Sequence, residues 1–286
     1  NTSVRQFDPE TSAEAYDERF RDRYAGNVVQ VADFTAIPPA DRRPDGAYTD
    51  LFVGSTFSIA GLESVSAYSG IGFITHDATL CLLFEGSMCD EAWDRLWRPP
   101  EGSERLLADL IGADTVVVQR TLVDTSTSAA PAGWELVETT PTVEVWSRTT
   151  PTAWPTGRLT DVTGPVVVES NEEIKAHREV VSFRRDGDGA AQLTFARLAW
   201  PGYEASIDGR TLPVGGGAAG LLTVTIPPDV ADGDVTVTWT PPYWRPSLLV
   251  LALGLLVGIA TQIGWWRHRS TADRSAASAG EEPPAP

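Results

Sequence analysis

The chain has 286 residues, with 22 Lys and Arg against 39 Asp and Glu and a net charge of −17. That balance argues against a phosphate-binding nucleic-acid surface, which needs clustered cations, and 42% hydrophobic with 21% charged residues excludes a wholly disordered chain. Two Cys and three widely spaced His (His76, His177, His268) exclude a disulfide-rich scaffold and the common zinc spacings.

In chain order, residues 9–24 predict a helix capped by Asp8, with Pro9 in its first turn and Tyr16, Phe20 and Tyr24 on one face. Val28 to Phe34 predicts a strand, Ile37 to Tyr48 a loop, Leu51 to Ala60 a weakly alternating strand, and Ser64 to Phe73 an irregular stretch. Cys89 to Leu96 and Ser103 to Ile111 predict helices separated by Pro99 and Pro100, and Asp114 to Gln119 a buried strand. Trp134 to Val137 and Val143 to Trp146 predict two strands joined by a turn at Pro141. This mixture argues for an α+β domain over 1–150, followed by a linker over Thr149 to Thr156.

Residues 157–242 predict an all-β sandwich domain. Its expected strands are Val166 to Ser170, Val180 to Arg185, Gln192 to Ala199, Tyr203 to Ile207, Leu222 to Ile226 and Val235 to Trp239. Asp208-Gly209 marks a hairpin, and Gly215 to Ala219 a flexible loop.

Ser247 to Trp266 is a run of 20 uncharged residues, ten of them Leu, Ile or Val. A helix of that length spans about 30 Å, the thickness of a bilayer core. Tyr243 and Trp244 flank it on one side and Trp265 and Trp266 on the other, as interfacial anchors do. The membrane segment with its flank is therefore placed at 243–266, with the lipid bilayer as a partner, and 267–286 as a disordered tail. Gly254 and Gly258 have the spacing of a helix-packing face. Arg267 and Arg269 follow the span, which puts the C-terminus in the cytoplasm and the preceding bulk outside. The part up to Pro242 holds 18 basic and 36 acidic residues, the rest 4 and 3. Export of such a domain needs a removed signal peptide or upstream membrane helices of a longer chain; a tail-anchored cytosolic domain is the remaining arrangement, and the Arg cluster speaks against it. Cys81 and Cys89 fit the outside assignment. In an oxidising compartment they pair across the intervening turn, and the alternative is two buried thiols.

Three stretches carry a family resemblance: Leu106 to Arg148 (LLADLIGADTVVVQ, then GWELVETTPTVEVWSR), Leu198 to Val214 (LAWPGYEASIDGRTLPV), and Val235 to Leu256, a strand running into the apolar segment. In order and spacing they resemble the C-terminal region of polytopic bacterial membrane proteins of the YfhO-like, GT-C glycosyltransferase kind. Gly61 to Cys89 looks like an actinobacterial version. The resemblance implies a parent that transfers a sugar from a polyprenyl-phosphate donor to a cell-envelope acceptor. The family's catalytic carboxylate lies in an early extracytoplasmic loop that has no counterpart here, so no catalytic residue is carried over.

The residues themselves offer no catalytic elbow, phosphate loop, metalloprotease motif or cofactor fingerprint, and no cofactor is expected in this chain. His76-Asp77 is expected to be a solvated turn rather than part of a triad, and Glu169 to Glu173 (ESNEE) a solvated loop rather than a calcium site. Trp154, Trp200 and Tyr203 sit near turns as candidate sugar contacts, whereas Trp93 and Trp97 share a helix face; core packing is the simpler role for each. The expectation is an extracytoplasmic accessory region that positions an acceptor or partner, with a polyprenyl-linked sugar or envelope glycan as ligand. The alternatives are a single-pass surface protein with a carbohydrate- or protein-binding sandwich, and an extracytoplasmic hydrolase.

Overall fold

The computed structural model describes residues 12–43, 45–66, 71–83, 85–127 and 130–278. Its architecture is an α+β part, a β-sandwich and a C-terminal apolar helix, as the sequence predicts. The described residues up to Trp239 form one compact unit, and those from Thr240 a second.

The first part contains α1 (Ala13–Phe20), β1 (Asn27–Val31), β2 (Glu63–Ser64), α2 (Ile74–Leu80), α3 (Glu91–Leu96), α4 (Leu107–Leu110), β3 (Thr115–Gln119), β4 (Trp134–Thr139) and β5 (Val143–Arg148). The sheet order is β2-β1-β3-β5-β4, with β2, β1 and β3 parallel and the β3-β5-β4 pairings antiparallel. β1 and β3 are buried along their whole length, so both faces of the sheet are covered. Val28 and Val117 meet Tyr16, Phe20, Tyr24 and Phe52 on one face. Val29, Val31, Val116 and Val118 meet Trp93, Leu96, Leu107 and Leu110 on the other.

Several elements differ from expectation. The cap of α1 is Ser12, whose hydroxyl accepts from the Ala15 N–H, and the helix runs only to Phe20; Asp8 and Pro9 lie outside the described residues. Leu51 to Ala60 is not a strand. The buried Gln30 side chain takes both backbone groups of Phe52, donating to its carbonyl (2.9 Å) and accepting from its N–H (3.1 Å), and Thr56–Ala60 is a 3-10 turn. No backbone group of Phe52 is then left for a sheet ladder. The second predicted helix shortens to α4, because Ser103 accepts from the Arg105 N–H and Leu106 is extended. α2 was not foreseen. Its sequence ITHDATL has two β-branched Thr and no capping side chain. It is held from outside itself, by buried His76 and Leu80 and by the Cys81–Cys89 disulfide at its end.

The sandwich contains β6 (Leu159–Thr163), β7 (Val166–Lys175), β8 (Arg178–Arg185), β9 (Ala191–Leu198), β10 (Tyr203–Ile207), β11 (Arg210–Leu212), β12 (Val214–Gly216), β13 (Leu221–Ile226) and β14 (Gly233–Trp239). A five-stranded sheet ordered β11-β10-β14-β8-β7 faces a four-stranded one ordered β12-β13-β9-β6. Val181, Phe183, Ile207, Val235 and Val237 from the first meet Leu193, Phe195, Leu222, Val224 and Ile226 from the second. Asp208-Gly209 does make the β10-β11 turn, with both residues at positive φ. Gly215 is in β12, so the expected flexible loop is largely ordered as strand and 3-10 turn. Glu169 to Glu173 lies within β7 as an edge strand with bulges, not in a loop.

The two parts share a core: Ala219 and Leu221 of the sandwich close the cluster around Trp93. Polar links run across the same seam. Thr160 donates to the Leu110 carbonyl (2.8 Å), and Arg105 pairs with Asp161 (3.1 Å).

The second unit is α5 (Trp244–Ser278). Pro246 is in its first turn, where its missing N–H costs nothing. Trp244–Ile263 is 20 residues long and apolar enough to cross a membrane, compatible with membrane association. The helix does not end at Trp266 but continues to Ser278, so the segment from Arg267 to Ser278 is helical rather than unstructured. Residues 279–286 lie outside the described residues.

Candidate functional site

A cleft of about 470 Å³ opens at the seam between the α+β part and the sandwich. One wall is β2, the segment before α2 and α2 itself; the other is Arg158 just before β6, the end of β9, Leu221 of β13 and the turn carrying Trp200. Its aromatic surface is Phe57, Phe73 and Trp200, the last two meeting edge to face with ring centroids 5.0 Å apart. Phe73 reaches this place because position 220 is glycine. A Cβ on Gly220, whose φ is +72°, would come within 2.5 Å of the Phe73 ring.

The polar side of the cleft is a chain of charges. Glu63 pairs with Arg158, and Arg158 donates through Nε to Glu173 (3.2 Å). Glu173 also accepts from Arg197 (2.9 Å), whose Nε donates to Glu179 (3.1 Å). Glu179 is buried on β8 and further accepts from the Arg158 N–H and from Asn171 Nδ2, each at 2.6 Å. Burial pushes the Glu179 carboxyl up, with Arg197 and the Arg158 N–H opposing it. Burial also pushes on Glu173, but Arg197 and Arg158 outweigh it and hold that carboxyl below its usual range. Burial works against the charge on both arginines, and their carboxylate partners more than compensate. Each guanidinium is already engaged by carboxylates.

His76 and Asp77 line the same cleft on α2. His76 is buried, not a solvated turn, and burial lowers its pKa despite the nearby Ala219 carbonyl and Asp77. Its Nδ1 lies 3.3 Å from the Ala219 carbonyl oxygen, which can only accept. The proton is therefore assigned to Nδ1, and Nε2 is left as a lone-pair acceptor. Ser64, the cleft's hydroxyl among the described residues, is hydrogen-bonded to Ser66.

A second hollow of about 290 Å³ also borders the Glu63–Arg158 pair and is lined by Trp154. Trp154 and Trp200 thus line two hollows that share the Glu63–Arg158 pair. Tyr203, the third candidate contact, is on β10 opposite Trp239 and packs on the sandwich core, away from the cleft. Trp93 and Trp97 are core residues, meeting edge to face at 5.0 Å within a cluster that includes Trp134 and Trp146. Cys81 and Cys89 are bonded, with Cα atoms 5.7 Å apart, which fastens the end of α2 beside the start of α3. Tyr243, Trp244 and Trp265 are exposed on the second unit; the side chains of Trp266, Arg267 and Arg269 lie outside the described residues. Gly254 and Gly258 have no neighbour within 4 Å of an added Cβ.

Glu63, Phe73, Arg158 and Arg197 were not singled out by sequence reading. The partners Glu63 and Arg158 are 95 positions apart, and no local pattern marks either. Comparison with known proteins gives no relative: no family model, no curated protein and no solved structure matches the chain.

Proposed function

We propose that this chain is the extracytoplasmic accessory region of a polytopic membrane protein resembling lipid-linked-sugar-dependent glycosyltransferases of the cell envelope. Its role is to hold the acceptor glycan, not to make or break bonds. In this reading the apolar segment from Trp244 lies in the bilayer with the C-terminus in the cytoplasm, and upstream membrane helices of the same protein carry the chemistry. The observation that carries it is the cleft: aromatic rings beside a pre-formed wall of paired charges and free acceptors suit a molecule with apolar ring faces and many hydroxyls.

The test is made in cells. Protein carrying Phe73→Ala with Trp200→Ala should reach the membrane in normal amount and support less incorporation of labelled sugar into envelope glycan. Equal incorporation at equal protein level refutes the reading. Glycoside turnover by the purified chain would favour the hydrolase instead. A single signal peptide encoded before Asn1, in place of several hydrophobic segments, would favour the single-pass surface protein.

A further inference from the structure

We propose that the ligand of the cleft is a saccharide carrying no acidic group, selected against uronates, phosphosugars and nucleotide sugars. The inference rests on the glycan-holding reading and specifies its substrate class. Three observations carry it. First, the cleft offers no unspent positive charge among the described residues: Arg158 is shared by Glu63 and Glu173, and Arg197 by Glu173, Glu179 and the Ala176 carbonyl. An incoming phosphate or carboxylate would have to compete with these carboxylates for either guanidinium, and drawing Arg197 away would strip the buried Glu179 of its cation, the costliest outcome for such a network. Second, the Asn27 amide is spent on the Ile111 and Gly112 carbonyls and the Ser64 hydroxyl on Ser66, and the other polar side chains at the wall are acceptors. Asp77 adds a carboxylate, and His76 presents Nε2 as a lone pair because its Nδ1–H faces Ala219. Acceptors are matched by hydroxyl or amine donors and repel anions. Third, Trp200 and Phe73 supply the apolar wall on which a pyranose C–H face lies, and Trp154 lines the second hollow for a further sugar unit.

The net charge of −17 works in the same direction at longer range, since it lowers the local concentration of anions around the molecule. A cleft built for a phosphorylated donor needs the opposite arrangement, an arginine or lysine aimed at the ligand with its charge unspent.

The experiment uses the whole chain in detergent micelles or nanodiscs. Saturation-transfer NMR and calorimetry are run with cellobiose, maltose, galactobiose and glucosamine as non-acidic probes, and with glucuronate, glucose 6-phosphate and UDP-glucose as acidic ones. The inference expects a non-acidic probe to bind and the acidic ones to bind at least about tenfold more weakly, with Trp200→Ala lowering the productive affinity by about tenfold. Phe73→Leu, which keeps an apolar side chain against Gly220, gives a smaller loss in the same direction and serves if Trp200→Ala melts early. Acidic probes binding as well as the others, with the same dependence on Trp200, overturn this inference and leave the glycan-holding reading standing. Binding indifferent to both substitutions overturns the placement in this cleft. Absence of any saccharide binding overturns both.

Discussion

The sharpest physical test of the cleft wall is Arg197→Met. Arg197 is the side-chain cation that reaches Glu179, whose side chain is 1% exposed. Replacing the guanidinium with a thioether of similar reach fills most of the space but strands the carboxylate. Removing one partner of a buried pair costs about 3–5 kcal/mol. Glu179 would keep two other donors, the Arg158 N–H and Asn171 Nδ2, each at 2.6 Å, and Glu173 would keep Arg158. The lower end, about 3 kcal/mol, is therefore expected, and at roughly 2–4 °C per kcal/mol for a unit of this size the melting temperature should fall by about 6–12 °C. Glu179→Gln in the same background removes the stranded charge, so the double variant should be more stable than the sum of the singles by about 1 kcal/mol or more. The pH dependence has a definite sign. Burial already raises the Glu179 carboxyl above its ordinary 4.5, and losing Arg197 raises it further. A raised acid contributes stability that is present below the unfolded value and lost as pH rises through the folded one. The gap between wild type and Arg197→Met should accordingly narrow on acidification towards 4.5. Urea titration of the detergent-solubilised chain, followed by near-ultraviolet circular dichroism, reads all three quantities. A cost below about 1 kcal/mol, or strict additivity in the double variant, would refute the buried-network account.

His76 carries a second pH signature. Its folded value lies below its ordinary 6.5, so the unfolded chain binds more protons just under that pH, and stability should drop as pH falls through 6.5. His76→Gln should flatten the melting-temperature profile in that window; an unchanged slope would mean that His76 is not the group responsible. Gly220→Ala should displace Phe73, because the new methyl lands 2.5 Å from the ring and the backbone is at φ +72°. A destabilisation of about 1–3 kcal/mol is expected, with weakened saccharide binding, and an unaffected cleft would disprove the close approach. Reducing the Cys81–Cys89 bond, or replacing Cys81 with Ser, should lower the melting temperature by the equivalent of about 2–3 kcal/mol, and identical melting with and without reductant would contradict a structural bond. Leu253→Arg adds roughly 2.5–3.5 kcal/mol to insertion of the apolar segment, which should shift the chain towards the soluble fraction; unchanged fractionation would count against a span.

What the sequence revealed of the fold follows from where period and chemistry agree. Val235, Val237 and Trp239 alternate with Thr, as do Leu222, Val224 and Ile226, and these strands stand where alternation puts them. The parallel strands β1 and β3 read as unbroken apolar runs because both their faces are covered. Where a tertiary partner substitutes for a local one, the pattern misleads. Leu51-Phe52 looks like strand but spends its hydrogen bonds on Gln30, 22 positions away. Glu169 to Glu173 looks like loop because three of its residues are acidic, yet Asn171 and Glu173 point their polarity at Glu179 and the two arginines and are satisfied there. An ion-pair network lets polar letters stand in an edge strand, and no periodicity scale anticipates it.

Of the site, the sequence marks Trp154, Trp200 and the His76-Asp77 pair. Trp200 and Trp154 stand beside prolines at turns, and that placement is visible in any reading of the chain. The polar half is assembled by the seam between the two parts. Glu63 is presented by a two-residue edge strand, Arg158 by the end of the linker, and His76 by a helix whose own sequence scarcely favours helix. Each of these is unremarkable alone. Their meeting depends on Ala219 and Leu221 closing the core around Trp93, on Gly220 admitting Phe73, and on the disulfide that holds the end of α2. A site built this way should be lost cooperatively with the seam. Loosening the shared core, for example with Leu221→Ala at a position 2% exposed, should therefore abolish saccharide binding before the sandwich itself unfolds, whereas an equally buried truncation at Val224, inside the sandwich core, should leave binding and global stability to fall together.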